Sequence, residues 1–180
     1  MSDCRIILVD DHTLFRGGLR GLLDRYEGFR VVGEAGSGEE LLERIGEWQA
    51  DVVFMDIAMP GMGGAVATQR LLALRPQWRV ITLSMFGDEH YYQRMVEAGA
   101  RGFLLKDSPF DEVVRAVETV HGGGCVGVVK RRFGALDAAA LFEVIDIFGP
   151  DRDLGGAVIA RGAAEHPAQR GCGDQHAEDE

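Results

Sequence analysis

The chain lacks an excess of positive charge. Its 180 residues include 29 aspartates and glutamates but only 19 lysines and arginines, which gives a formal net charge of −10. Proteins that bind nucleic acid without sequence preference use lysine and arginine to neutralise phosphates. The one basic cluster, Lys130-Arg131-Arg132, is too small to form such a surface. The composition therefore argues against non-specific nucleic-acid binding by the whole chain.

Long apolar runs and paired cysteines are also missing. No stretch of about 18 consecutive apolar residues occurs, and no signal-peptide pattern follows Met1. Cys4, Cys125 and Cys172 are an odd number of cysteines at unrelated spacings, unlike a disulfide framework or a zinc site. We therefore expect a cytoplasmic protein with reduced thiols and no membrane association.

Short apolar runs alternate with amphipathic stretches over the first two-thirds of the chain. The runs have the pattern of strands buried on both faces, and the stretches between them carry apolar residues at helical spacing. Because an eight-stranded barrel needs more units, this order predicts an α/β fold with a doubly wound five-stranded parallel sheet. The expected strands cover residues 5–9, 30–34, 51–56, 79–84 and 102–105, and the expected helices cover 13–26, the stretch after Ser37, 64–74, 89–98 and 109–120.

The pattern changes at the triple glycine of residues 122–124. Glycines of this kind end helices and begin loops, so we place a domain boundary there. Residues 1–124 form the predicted domain. Residues 125–180 are interpreted as a linker, one helix over 136–148 and a weakly structured acidic tail.

Polar side chains stand at the ends of four predicted strands. Asp10 and Asp11 follow the first strand, and Asp56, Ser84 and Lys106 end or follow three others. The carboxyl ends of parallel strands meet at the sheet edge where ligands bind. Three carboxylates placed there repel one another, and a hard cation such as Mg²⁺ removes that cost. With a carboxylate nucleophile, a lysine and a hydroxyl, the set predicts phosphoryl transfer.

These residues resemble the receiver domain of a bacterial two-component response regulator. The likeness extends from residue 4 to about 121, and its matching segments are residues 9–12, 54–64, 82–84 and 99–107. Each segment alone is weakly specific, but the set in this order is highly specific. His12 and the last segment are most similar to the NarL/FixJ (LuxR-type) transcriptional regulators.

The resemblance implies a flavodoxin-like fold, a phosphoacceptor and a metal site. Asp56 would accept a phosphoryl group from a sensor histidine kinase. Asp11, Asp56 and the main-chain carbonyl of Ala58 would bind Mg²⁺ directly, and Asp10 would act mostly through water. The chain would act as a phosphoacceptor switch and not as an enzyme with a separate substrate.

A conformational switch is the second implication of the resemblance. Lys106 would pair with the phosphoryl oxygens, Ser84 would move towards them, and Phe103 would turn inward into the space that Ser84 leaves. The surface that moves would control the binding of a partner. A second copy of the chain is one such partner, and its binding would give a homodimer.

Each of these residues, taken singly, has a simpler interpretation. An aspartate pair after a strand can cap the next helix, and a phenylalanine in an apolar strand is usually core. Capping does not account for Lys106 and Ser84 at the same edge, so the joint pattern favours the functional interpretation.

The resemblance ends at the triple glycine. No helix-turn-helix module is visible after it, so DNA binding is expected only if such a module exists. Residues 125–180 are a frameshifted or truncated output domain or a genuine tail, and the protein sequence does not choose between these.

Three functions fit these observations. The first is a phosphorylation-switched signalling domain of a transcriptional regulator, and the second is a stand-alone receiver that acts as a phosphate sink or interaction switch. The third is a phosphatase with Asp56 as its nucleophile. The third is least favoured, because Ala58 occupies the position where such enzymes, by resemblance, place a second acid.

Overall fold

Residues 3–85 and 89–127 are described by the computed structural model. They form six strands and five helices in strict alternation, and all strand pairs are parallel. The strands are β1 (Cys4–Val9), β2 (Phe29–Ala35), β3 (Val52–Asp56), β4 (Arg79–Ser84), β5 (Gly102–Leu105) and β6 (Val126–Gly127). The helices are α1 (Thr13–Leu23), α2 (Gly38–Arg44), α3 (Gly63–Leu74), α4 (Glu89–Glu97) and α5 (Phe110–His121).

The sheet has the strand order β2-β1-β3-β4-β5-β6. Chain order reverses beside β1, so the fold is a doubly wound parallel sheet, as the sequence predicts. No helix within the two described ranges is long and apolar enough to cross a bilayer. The helix expected over 136–148 and the acidic tail lie outside the described residues.

Helices cover both faces of the sheet, and each face has its own apolar core. The core under α1 and α5 includes Ile6 and Leu8, whereas the core under α2, α3 and α4 includes Ile7 and Val9. Successive strand residues point to opposite faces. A strand covered on both sides therefore needs an unbroken apolar run, which explains the pattern of β1.

The short strand β6 is the main addition to the predicted fold. Val126 pairs with Gly102 of β5, and the residue is only 9% exposed within the core that Val117 and Val120 line. The sheet therefore continues to Gly127, past the glycines where the sequence places a boundary. A two-residue strand is too short to produce a hydrophobic period, so the sequence pattern does not reveal it.

Several helix ends also differ from the prediction, most by a single residue. The first helix ends at Leu23, three residues before the predicted Tyr26, and the chain then turns through Gly28 at φ +95°. Pro109 stands at the N-cap of α5 and not in its first turn. The second helix begins after Ser37, as predicted, and Ser37 caps it: its Oγ accepts a hydrogen bond from the Glu40 amide at 3.1 Å.

Strand register brings the polar strand ends to one edge. Asp56 is level with Leu83 of β4, and Ser84 is level with Leu105, which immediately precedes Lys106. Below, the carboxyl edge means the edge where the strands end, and the amino edge means the edge where they begin.

Candidate functional site

An acidic cluster occupies the carboxyl edge. It consists of Asp10, Asp11, His12 and Asp56, whose possible ligand atoms all lie within 4.8 Å of one another. The side chains of Asp10 and Asp56 are only 2% exposed, whereas that of His12 is 61% exposed. Two buried carboxylates therefore form the floor of the site, and Asp11 and His12 form its more exposed rim.

Lys106 supplies the positive charge that these carboxylates face. Its Nζ donates a 2.8 Å hydrogen bond to Asp56 Oδ2 and also lies 2.8 Å from Asp10 Oδ2. It is also 4.9 Å from the centre of the Phe15 ring, a cation–π contact. Burial by itself lowers the pKa of Lys106, but the carboxylates of Asp10 and Asp56 outweigh burial and raise the pKa above its ordinary value. The lysine is therefore charged at neutral pH.

The negative charge in the site exceeds the positive charge. Two oxygens lack a hydrogen bond of regular geometry: Oδ1 of Asp11, which is 3.1 Å from Nδ1 of His12, and Oδ2 of Asp10, which is 2.8 Å from Nζ of Lys106. Buried carboxylate oxygens without such partners are costly, and a bound cation removes the cost. The possible metal ligands on the floor are all carboxylate oxygens. Because Mg²⁺ prefers oxygen ligands of this kind, the site fits Mg²⁺.

Asp56 is held in place from two sides. Its Oδ1 accepts a 3.2 Å hydrogen bond from the amide of Ala58, and its Oδ2 accepts the bond from Lys106. The loop that contains Ala58 is itself held by Glu39 of α2, whose Oε1 accepts a 2.8 Å hydrogen bond from the Met62 amide. This loop places the Ala58 main chain, which the resemblance implies as a metal ligand, beside the carboxylate.

Close packing of α3 against the end of β3 completes the local geometry. A Cβ added to Gly64 would lie 2.1 Å from the carbonyl oxygen of Asp56. The Gly64 amide donates a 3.0 Å hydrogen bond to the carbonyl of Ile57. Only a glycine permits this approach.

Ser84 and Phe103, the other residues that the sequence singles out, lie on the neighbouring strands. Ser84 ends β4 at the carboxyl edge and is buried. Phe103 on β5 is also buried, and Tyr92 of α4 packs edge-on against it with ring centroids 5.3 Å apart. Phe103 thus already points inward in this structure, under a tyrosine that the sequence analysis did not single out.

His12 and Arg16 belong to the site although sequence reasoning gave neither a role in it. Nδ1 of His12 lies 3.1 Å from Asp11 Oδ1 and 3.5 Å from Lys106 Nζ. Arg16 donates a hydrogen bond from Nη1 to the main-chain carbonyl of Asp10. A clue was present, because helical side chains lean towards the helix N-terminus, and Arg16 stands in the first turn after the acidic pair.

A second cluster of possible ligand atoms lies at the amino edge, where Cys4, Asp51 and His121 come within 4.8 Å of one another. Arg5 donates to both oxygens of Asp51, from Nε at 3.0 Å and from Nη2 at 2.9 Å. Burial, helped by the charge of Asp51, raises the pKa of the Cys4 thiol to about 12. The carboxylate is thus paired and the thiol protonated, so this cluster is poorly suited to binding a cation.

The family model for the response regulator receiver domain matches residues 6–118. The chain is 40% identical over 119 residues to response regulator GacA of Pseudomonas viridiflava, with 66% of this chain and 56% of that protein covered. It is 38% identical over 120 residues to transcriptional regulatory protein DegU of Brevibacillus brevis, with 67% and 51% covered. The chain therefore spans about half the length of these curated relatives.

The chain is also similar to solved structures of response regulators. A LuxR-family two-component response regulator from Aurantimonas has a TM-score of 0.67 at 34% identity, with 72% of this chain and 91% of that chain covered. The signal receiver domain of the putative response regulator NarL from Mycobacterium tuberculosis has a TM-score of 0.64 at 36% identity, with 68% and 99% covered. With the fold and the acidic cluster described above, the match over residues 6–118 shows that the chain belongs to the response regulator receiver domain family.

Proposed function

We propose that Asp56 accepts a phosphoryl group from the phosphohistidine of a sensor kinase, and that the acyl phosphate switches the conformation of the domain. The observation that carries this proposal is the arrangement around Asp56. The carboxylate is fixed by Lys106 and Ala58 and lies among two further carboxylates, Asp10 and Asp11.

In the proposed transfer, a carboxylate oxygen of Asp56 attacks the phosphorus atom of the phosphohistidine. The phosphorus–nitrogen bond breaks, and the imidazole leaves with its electron pair. Lys106, which already donates to Asp56 Oδ2, is placed to pair with the phosphoryl oxygens afterwards. The Ala58 amide keeps Oδ1 oriented throughout. Positioning and electrostatic stabilisation supply most of the catalysis in reactions of this kind.

Mg²⁺ is the cofactor that this site would bind. Asp11, Asp56 and the carbonyl of Ala58 would ligate it directly, and Asp10 would do so mostly through water. When bound, the ion neutralises negative charge on the carboxylates and on the phosphate oxygens.

The switch is proposed to pass through Ser84 and Phe103. Ser84 would turn towards the new phosphoryl oxygens, and Phe103 would settle further into the space that Ser84 leaves, still beneath Tyr92. Phosphorylation biases a two-state equilibrium only through contacts that differ between the states. The surface that changes would be α4, β5 and α5.

The output is proposed to be control of transcription, since DegU, one of the relatives above, is named a transcriptional regulatory protein. The chain would act in the cytoplasm, and its partners would be a sensor histidine kinase and a second copy of the chain. DNA becomes a partner only where a helix-turn-helix module accompanies the receiver. The chain's own chemistry would be limited to self-phosphorylation and slow self-dephosphorylation.

Intact-mass spectrometry tests the acceptor directly. The full chain and its Asp56→Asn variant are incubated with a small-molecule phosphoryl donor and Mg²⁺. We expect a phosphate-sized mass gain in the wild type alone, because the substitution is nearly isosteric but removes the nucleophilic carboxylate. An equal gain in the variant would place the acceptor elsewhere, and no gain in the wild type would overturn the proposed function.

A further inference from the structure

We propose that Arg16 is a positioning residue for the metal site. Its guanidinium ties the main chain of Asp10 to Glu34 of β2, and so holds the connection between β1 and α1 in the conformation that binds Mg²⁺. The inference rests on the proposed function, since it concerns the same site.

The contacts of Arg16 join helix α1 to strand β2 and to the loop that follows β1. From the first turn of α1, its Nη1 donates to the carbonyl oxygen of Asp10 and its Nε donates to Glu34 Oε2 at 3.2 Å. Arg20, one turn later, donates to the other oxygen of Glu34. The Arg16 side chain is 16% exposed, so water competes little for these bonds.

The clamped carbonyl lies at the point where the sheet stops supporting the chain. The Asp10 amide donates to the carbonyl of Ala35 at 3.1 Å, one residue beyond Val9, which is the last residue of β1 paired with β2. The next peptide, which links Asp10 to Asp11, is where Arg16 bonds. Rotation of that peptide would turn the Asp11 carboxylate, because the dihedral angles on either side of the peptide set the direction of the Asp11 side chain.

Repulsion between the carboxylates provides a force that the clamp resists. Asp10, Asp11 and Asp56 lie within a few ångströms of one another, with Lys106 as the nearest full positive charge. Without the bond from Arg16, the connection can relax and move Asp11 away from the other two. Reforming the site would then cost free energy at each binding event, which lowers the affinity for the ion.

The sign of the effect separates positioning from simple electrostatics. Arg16 is positively charged and close to the site, so its field alone repels Mg²⁺, and its removal would tighten binding. A clamp predicts the opposite result, since removal of Arg16 loosens the ligand geometry. A residue needed only for stability would change the melting temperature and leave the Mg²⁺ affinity of the folded protein unchanged.

Calorimetric titration of Mg²⁺ into the full chain tests the inference. We expect Arg16→Gln to weaken Mg²⁺ binding by roughly tenfold, the range typical of residues that orient metal ligands. Arg20→Gln is the matched control, because Arg20 also bonds to Glu34 but does not touch Asp10; we expect it to bind Mg²⁺ as the wild type does. Arg16→Lys should be intermediate, since an ammonium cannot reproduce the two-pronged contact.

A second variant protects the test against misfolding of the first. Arg16→Lys keeps the positive charge but loses the two-pronged contact, so its smaller loss of affinity reports positioning without a change of charge. Equal or tighter binding by both Arg16→Gln and Arg16→Lys, beside a wild type that binds Mg²⁺, would overturn the inference alone. A wild type that binds no Mg²⁺ would overturn the proposed function and the inference with it.

Discussion

The two edges of the sheet use the same residue types in opposite ways. At the amino edge, Asp51 receives three hydrogen bonds from Arg5, from its Nε, its Nη2 and its main-chain amide. At the carboxyl edge, Lys106 faces Asp10 and Asp56 together, with Asp11 close by. The first arrangement balances its charges, and the second leaves negative charge in excess.

The difference indicates which edge is built for stability and which for chemistry. A paired carboxylate has its lone pairs engaged by donors and gains little from a cation. A crowded group of carboxylates gains from a cation such as Mg²⁺, because the ion offsets the repulsion between its members. Strained or costly groups of this kind concentrate at functional sites.

The largest expected effect comes from filling the space at Gly64. Gly64→Ala would drive a methyl group against the Asp56 carbonyl, so we expect a loss of about 3 kcal/mol in the free energy of unfolding. Gly21→Ala is the matched control, since Gly21 lies in α1 with no atom within 4 Å of an added Cβ. Alanine there should stabilise the protein by about 0.5–1 kcal/mol. Urea denaturation measures the free energy of unfolding of both variants. A Gly64→Ala protein as stable as the wild type would contradict the prediction.

Exchanging one aspartate at each edge tests the charge difference itself. Asp11→Asn should weaken Mg²⁺ binding by more than about tenfold, or about 1.4 kcal/mol, because it removes a charged ligand. Asp51→Asn should leave the affinity unchanged, since Asp51 belongs to the amino edge. Titration calorimetry measures both. Equal losses of Mg²⁺ affinity in the two variants would show that the affinity depends on the net charge of the chain and not on the carboxylates of the carboxyl edge.

Truncation tests the contribution of β6 to the amino edge. A chain that ends at residue 124 lacks Val126, whose partner Gly102 begins β5, whereas a chain that ends at residue 127 keeps it. Burial of a valine contributes about 1.5 kcal/mol, so the shorter chain should melt roughly 3–6 °C lower. Calorimetric melting of the two chains gives the answer, and identical midpoints would mean that β6 adds no stability.

The pH dependence of Asp51 is the smallest expected effect. The side-chain hydrogen bonds from Arg5 outweigh partial burial and lower the pKa of Asp51. A lowered pKa stabilises the folded state above the unfolded value of about 3.9 and ceases to do so as the pH falls through the folded value. Asp51→Asn should therefore melt about 3 °C lower at neutral pH, and the gap should narrow as the pH falls below about 4 and through the lowered pKa of Asp51. A gap as wide in acid as at neutral pH would contradict this origin.

Much of the fold and of the site could be predicted, because short segments of the sequence determine these features. The unbroken apolar runs predict strands covered on both faces, and the rule that ligands bind where parallel strands end identifies Asp10, Asp56, Ser84 and Lys106. Three of these lie in direct contact, and Ser84 lies at the same edge. The family resemblance then adds Ala58 and Phe103, whose roles stay predictions.

The features that were missed depend on tertiary contacts. Val126 forms a strand only because the edge of β5 is available to it, and two residues show no period. Arg16 reaches Asp10 through the direction in which helical side chains lean, and Tyr92 covers Phe103 through packing of α4. None of these pairings follows from hydrophobic spacing along the chain, so each needs the folded structure.

Chemical mapping of the acceptor is the most direct test of the account. The full chain is phosphorylated with a small-molecule donor and Mg²⁺ and reduced with borohydride, which converts an acyl phosphate of aspartate into homoserine. Its peptides are then sequenced by mass spectrometry. We expect homoserine at position 56 alone, because Asp56 is the carboxylate held by both Lys106 and Ala58. Homoserine at position 10 or 11, or a modification that does not depend on Mg²⁺, would contradict it.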